Sequence, residues 1–80
     1  MAQFMIAVLY ETDSDQLGGC GKQIMYVDET SFDRSMRYIE ELRLGLSSVS
    51  ALSADLFVKE DGASRHLQHY DFTELNNLRN

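Results

Sequence analysis

The sequence predicts a small α+β domain, in which a four-stranded, mainly antiparallel sheet carries one main helix on one face. Residues 30–45 have apolar side chains at helical spacing, and four other segments have the alternation or flanking turn residues of strands. The chain has 80 residues, 44% of them hydrophobic, which suffices for one hydrophobic core. We therefore expect a single domain over residues 1–80.

The first two strands are predicted in the N-terminal third. Residues 4–10, FMIAVLY, are apolar on both alternations, which is typical of a strand buried on both faces and so favours the middle of the sheet. Residues 12–21 contain three glycines and two aspartates and are expected to form a long loop. Residues 23–27 follow as a second strand, antiparallel to the first.

The main helix is predicted over residues 30–45, TSFDRSMRYIEELRLG. Its apolar stripe consists of Phe32, Met36, Ile39, Leu42 and Leu46. Thr30 is expected to cap the first turn through its hydroxyl. Gly45 is expected to end the helix, because glycine adopts the left-handed closing conformation without a steric penalty.

The C-terminal part predicts a hairpin and a short helix. Residues 54–60 and 65–70 are expected to be strands, the second at an edge of the sheet, joined by a type I′ turn at Asp61-Gly62. A short helix capped by Asp71 is expected to follow, through Leu75 and Leu78.

The predicted order of elements is therefore β-β-α-β-β-α. The main helix returns the chain, so the second and third strands should point the same way, with the first strand between them. This predicts the spatial order 2-1-3-4.

The charge balance narrows the classes of function. Thirteen acidic against seven basic residues give a formal net charge of −6, which disfavours direct binding to nucleic acid or to an anionic membrane. A protein partner with a basic surface is expected instead. No apolar run approaches the roughly 20 residues of a membrane span, and the N-terminus lacks the features of a secretory signal. The single cysteine, Cys20, suits a reducing cytoplasm.

Few residues are candidates for catalysis or metal binding. Cys20, His66 and His69 are the only soft ligands, and in a regular strand residues 66 and 69 point to opposite faces. We therefore expect no metal site, no cofactor and no enzymatic activity. The acidic residues 13–15 lack the glutamate that completes a calcium loop, and GGCGK lacks the spacing of a phosphate loop.

Two acidic segments, far apart in sequence, form the candidate partner-binding site. The predicted strand order brings both to one end of the sheet; their residues are Asp28, Glu29, Asp33, Glu60 and Asp61. Such a patch suits a partner rich in lysine and arginine. Alternatively, the first three only complement the helix dipole, and Asp61 only forms the turn.

The length, the single α+β domain with the one main helix TSFDRSMRYIEELRLG, and the acid excess resemble the small phage-encoded anti-CRISPR proteins. The resemblance implies an inhibitor that occupies a basic, nucleic-acid-handling surface of a CRISPR effector subunit in the host cytoplasm. Antitoxin-like and immunity-like binding proteins have the same general character. A small homo-oligomeric regulatory protein is a further interpretation, because one helix covers only one face of the sheet and a homodimer would bury the rest.

Overall fold

The computed structural model describes residues 3–14, 19–47 and 49–73. Its elements, in chain order, are β1 (Gln3–Ser14), β2 (Gly19–Glu29), α1 (Phe32–Arg43), β3 (Ser50–Glu60) and β4 (Ala63–Asp71). The strands form one antiparallel sheet in the order β2-β1-β3-β4, which confirms the predicted class and spatial order. The predicted C-terminal helix falls mainly on residues 74–80, which lie outside the described residues.

The first two strands are much longer than predicted. β1 and β2 pair without a register shift, from Phe4 opposite Glu29 to Ser14 opposite Gly19. The expectation of a long loop over residues 12–21 is therefore wrong, because residues 12–14 and 19–21 belong to the ladder. Pairing with a neighbouring strand satisfies the backbone groups of these residues, so their glycine content does not prevent strand formation.

The N-cap of helix α1 lies one residue later than predicted. The hydroxyl oxygen of Ser31 accepts a hydrogen bond from the backbone N–H of Arg34 at 3.1 Å. Ser31 therefore caps the helix, and the prediction that Thr30 does so is wrong. Ser35, one turn further on, is fully buried, and its hydroxyl donates to the Ser31 carbonyl at 3.0 Å.

The C-terminal end of α1 closes as predicted at Gly45, whose φ is 75°. The N–H of Leu46 donates to the carbonyl of Glu41 at 2.9 Å, and the N–H of Gly45 donates to that of Leu42 at 3.2 Å. This pair of bonds is a Schellman closure, which satisfies carbonyls that the helix leaves unpaired. Within the described ranges, no helix is both long and apolar enough to span a membrane.

The core lies between α1 and one face of the sheet. Its buried side chains come from the two central strands, the helix and the residue that follows β4: Ile6, Val8, Ile39, Leu42, Ala54, Leu56 and Phe72. The predicted apolar stripe of the helix is buried only in its middle part, whereas Phe32 and Leu46 at its ends are exposed. The stripe therefore contributes fewer buried side chains to the core than its length suggests.

The other face of the sheet, which we call the open face, is covered by no described element. Its apolar side chains are Met5, Ala7, Leu9, Ile24, Tyr26 and Phe57. β1 was expected to be buried on both faces, but its open-face side chains are only half-buried. The large apolar residues of the open face that are most exposed lie on β2, where Ile24 is 56% and Tyr26 is 66% exposed.

Candidate functional site

The five carboxylates predicted as a partner-binding site lie at one end of the molecule, which we call the acidic end. β1 begins there, with Phe4 paired to Glu29 of β2 and to Val58 of β3. The C-terminal ends of β2 and β3 therefore flank the start of β1, one on each side. The first turn of α1, which carries Asp33, starts just after β2 at the same end.

Two of these carboxylates have basic neighbours. Oδ1 of Asp28 is 3.7 Å from Nζ of Lys59, and Oε1 of Glu60 is 3.8 Å from a guanidinium nitrogen of Arg65. Both pairs are long and solvent-exposed, so each contributes at most about 1 kcal/mol. The acidic end is therefore less negative than its five carboxylates alone suggest, but the carboxylates of Asp28 and Glu60 remain exposed to solvent.

The acidic end is also divided between the two faces of the sheet. Asp28 lies on the open face opposite Met5, whereas Glu29 lies on the helix face opposite Phe4. Glu29 and Asp33 line a shallow groove beside α1, whose lining residues are Glu29, Ser31, Asp33, Arg34, Arg37, Tyr38 and Glu41. Burial, together with the negative charges of Glu41 and Glu29, raises the pKa of Tyr38.

Asp61 has a local structural role as well as its charge. It has φ of 51° and is followed by Gly62 with φ of 79°, so both central residues of the β3–β4 turn have positive φ. This confirms the predicted type I′ hairpin. Asparagine and glycine tolerate this conformation better than longer side chains do, which limits the substitutions that can test the charge of Asp61.

A second polar cluster lies on the open face, across β3 and β4. Oδ1 of Asp55 lies 2.9 Å from Nε2 of His66 and 2.8 Å from Nδ1 of His69. The His66 ring also contacts Phe57 edge-on, with centroids 5.1 Å apart. Because an ionised carboxylate only accepts hydrogen bonds, both rings donate to it, which fixes their tautomers.

The two histidines share a face because β4 contains a β-bulge. Phe57 pairs with His66 and Leu56 with Gln68, so Leu67 has no opposite residue and packs towards the core. The extra residue reverses the alternation between positions 66 and 69. The expectation that His66 and His69 point to opposite faces is therefore wrong.

The pKa of Asp55 reflects opposing effects. Partial burial would raise it, but the hydrogen bonds and the electrostatic attraction of His66 and His69 outweigh burial and hold it below its usual value. Asp55 is therefore ionised over a wider pH range in the folded protein than in the unfolded chain.

We expect Asp55 to stabilise the protein in a pH-dependent manner. Because its pKa is lower in the folded state, this stabilisation is present above its unfolded pKa of about 3.9 and is lost as the pH falls through the folded value. Asp55→Asn should therefore flatten the acid limb of the curve of unfolding free energy against pH. Urea titrations from about pH 7 to about pH 2 would measure it.

The matched control for this experiment is Asp61→Asn, which removes another carboxylate while tolerating the positive φ of the turn. Asp61→Asn should keep the loss of unfolding free energy at acid pH that wild type shows through Asp55. Parallel acid limbs for Asp55→Asn and wild type would contradict the assignment.

The described residues contain no group of three or more His, Cys, Asp or Glu side chains that could hold a metal ion. In the cluster around Asp55, both ring nitrogens are directed at one carboxylate oxygen. The remaining nitrogen of each ring, Nδ1 of His66 and Nε2 of His69, can bond to an external group, since both side chains are about half-exposed.

No protein-family model, curated protein or solved structure matches this chain. Three surfaces of the described residues have a chemistry that can serve a function. These are the acidic end, the polar cluster around Asp55 and the apolar part of the open face.

Proposed function

We propose that this protein is a non-enzymatic inhibitor that binds a basic, nucleic-acid-handling surface of a protein partner, as the anti-CRISPR proteins it resembles do. The observation that carries the proposal is the acidic end, where two segments separated by α1 and β3 in sequence bring five carboxylates together. Carboxylates presented in this way can bind lysine and arginine side chains that otherwise bind phosphates.

The arrangement suits fast association with a basic surface. Exposed carboxylates can exchange a long contact to a neighbouring base for a closer contact to a partner at little cost. A net charge of −6 adds long-range attraction, which increases the rate of encounter and is weakened by salt.

The test is inhibition of target-DNA binding by purified CRISPR effector complexes of different types. At least one complex should lose DNA binding when the protein is added. The double variant Asp33→Lys/Glu60→Lys should associate with that complex about tenfold more slowly at low salt, with the difference shrinking as salt rises. Both residues are exposed, whereas Glu29 is half-buried and is unsuitable for charge reversal.

A matched control is Glu11→Lys/Glu40→Lys, which changes the net charge equally but alters exposed residues away from the acidic end. It should associate at nearly the wild-type rate. Equal slowing by the two double variants would show that only net charge matters, and would contradict a binding site at the acidic end. Failure to inhibit any effector complex would contradict the anti-CRISPR form of the proposal.

A second candidate function is that of a small homo-oligomeric regulatory protein. It is favoured by the exposure of Ile24 and Tyr26 on the open face, since soluble monomers rarely leave large apolar side chains clustered in this way.

An antitoxin-like or immunity-like protein would use the same acidic end against a toxin. Replacing the effector complexes by purified toxic nucleases in the same assay distinguishes this function from inhibition of a CRISPR effector.

A further inference from the structure

The outer edge of β2 pairs with no described strand, although β2 is 11 residues long. Its ladder with β1 contains no bulge, so the backbone groups along its outer edge are regularly spaced. The opposite edge, β4, contains the bulge at Leu67 and exposes polar side chains, two features that discourage strand addition. β2 is therefore the edge that is suited to pairing with another chain.

The side chains of β2 on the open face have two apolar residues at the centre and opposite charges at the two ends. They follow in the order Lys22, Ile24, Tyr26 and Asp28, with the two exposed apolar residues between a base and an acid. Reversing the strand exchanges the charged ends and keeps the apolar centre. Such a strand is complementary to an antiparallel copy of itself.

We propose that β2 pairs antiparallel with β2 of a second copy of this chain, about a twofold axis that passes through Met25. In this register Lys22 lies opposite Asp28 of the second copy, and Ile24 lies opposite Tyr26. Each pair occurs twice by symmetry, as an isologous interface requires. Asp28 also belongs to the acidic end, where it lies 3.7 Å from Nζ of Lys59. Self-association is measured on this protein alone, so its test does not depend on the partner proposed for the acidic end.

Other registers match less well. An axis through Ile24 puts Lys22 opposite Tyr26, and an axis through Tyr26 puts Ile24 opposite Asp28. A shift by a single residue would join the open face of one copy to the helix face of the other. Only the axis through Met25 pairs charge with opposite charge and apolar with apolar at all four positions.

The resulting dimer would contain a continuous eight-stranded sheet. Tyr26 lies beside Ala7 within its own chain, and Ile24 lies beside Leu9. Joining the two β2 strands extends each row into the second copy, so that the most exposed apolar side chains of the sheet gain neighbours on both sides. The pairing also satisfies the outward backbone groups of β2.

The first measurement is molecular mass by light scattering. We expect twice the 9.1 kDa of a single chain at micromolar concentrations. The single variants Lys22→Asp and Asp28→Lys each place like charges opposite one another at two positions of the dimer. Each should weaken self-association by about tenfold or more, while circular dichroism shows an unchanged fold.

The decisive experiment is to mix these two variants in equal amounts. In their mixed dimer, the introduced aspartate of one copy lies opposite the introduced lysine of the other, and the unaltered Lys22 and Asp28 face each other. Both pairs are therefore complementary again. We expect the mixture to recover the dimer, with one copy of each variant, as detected by native mass spectrometry. A wild-type monomer at every concentration, or a mixture that dimerises no better than the single variants, would overturn the proposal.

Cross-linking tests the register separately. In a Cys20→Ser background, Met25→Cys should form a disulfide between the two chains on oxidation. The Cα atoms of residue 25 in the two chains face each other across the axis at about 5 Å. Lys22→Cys is the control, since its two copies lie about six residues apart along the strands, or about 20 Å. Cross-linking of the control as readily as of Met25→Cys would exclude this register.

Discussion

Replacing Phe72 by alanine is expected to reduce the free energy of unfolding by about 3–5 kcal/mol. Phe72 follows β4 and is only 7% exposed, packed in the core with residues from the sheet and α1. A domain of this size is typically stable by about 4–12 kcal/mol, so the variant should lose much of its stability. The large effect arises because the cavity left by a ring cannot be filled by the surrounding side chains without rearrangement.

Urea unfolding of Phe72→Ala at low protein concentration measures this effect, with Phe32→Ala as a matched control. Phe32 contacts Phe4 edge-on at 5.9 Å, but half of its surface is exposed, so its loss should cost much less. Equal urea midpoints for the two variants would show that Phe72 does not belong to the core.

The second large effect is expected from two buried residues in the C-terminal half of α1. Leu42→Ala and Ile39→Ala should each cost about 2–5 kcal/mol, since both side chains are almost completely buried against the sheet. Leu46→Ala removes the same side chain as Leu42→Ala from a position that is 72% exposed, compared with 5% for Leu42. It should change the stability by less than about 0.5 kcal/mol.

Thermal unfolding of these three variants distinguishes the buried part of the apolar stripe from its exposed end. A similar loss of stability for Leu46→Ala and Leu42→Ala would mean that Leu46 is buried, which would contradict its 72% exposure. That result would also require a different explanation for the exposed ends of the stripe.

The architecture could be predicted from the sequence because each main signal was strong and local. The apolar spacing over residues 30–45 predicted α1, and Asp61-Gly62 predicted the type I′ turn. The strand order then followed from chain direction alone. The sequence does not predict the burial of Phe72, because it is a single apolar residue beyond the last strand, without a periodic pattern around it.

The features that could not be predicted depend on which residues face each other. Glycines at residues 18, 19 and 21 suggested a loop, but the long ladder between β1 and β2 is a property of two strands together. In the same way, nothing in β4 alone reveals that Leu67 forms a bulge. The cluster of Asp55, His66 and His69 was therefore missed, although all three residues are visible in the sequence.

The acidic end was predictable in position but not in detail. Strand order correctly brought Asp28 and Glu60 to the same end of the sheet. The pleat then separates Asp28 from Glu29, which point to opposite faces although they are neighbours in sequence. The contact of Glu60 with Arg65 depends on the close approach of β3 and β4 across their turn.

The position of β1 between β2 and β3 has a consequence for how the chain folds. The pairs β1–β2 and β3–β4 are hairpins, which close within microseconds, whereas β1–β3 joins Phe4 to Val58 across most of the chain. Ordering the intervening segment costs entropy before this pairing gains any contacts, so we expect it to limit the folding rate. The molecule should therefore assemble from two locally formed halves, which join last along a line through the middle of the sheet.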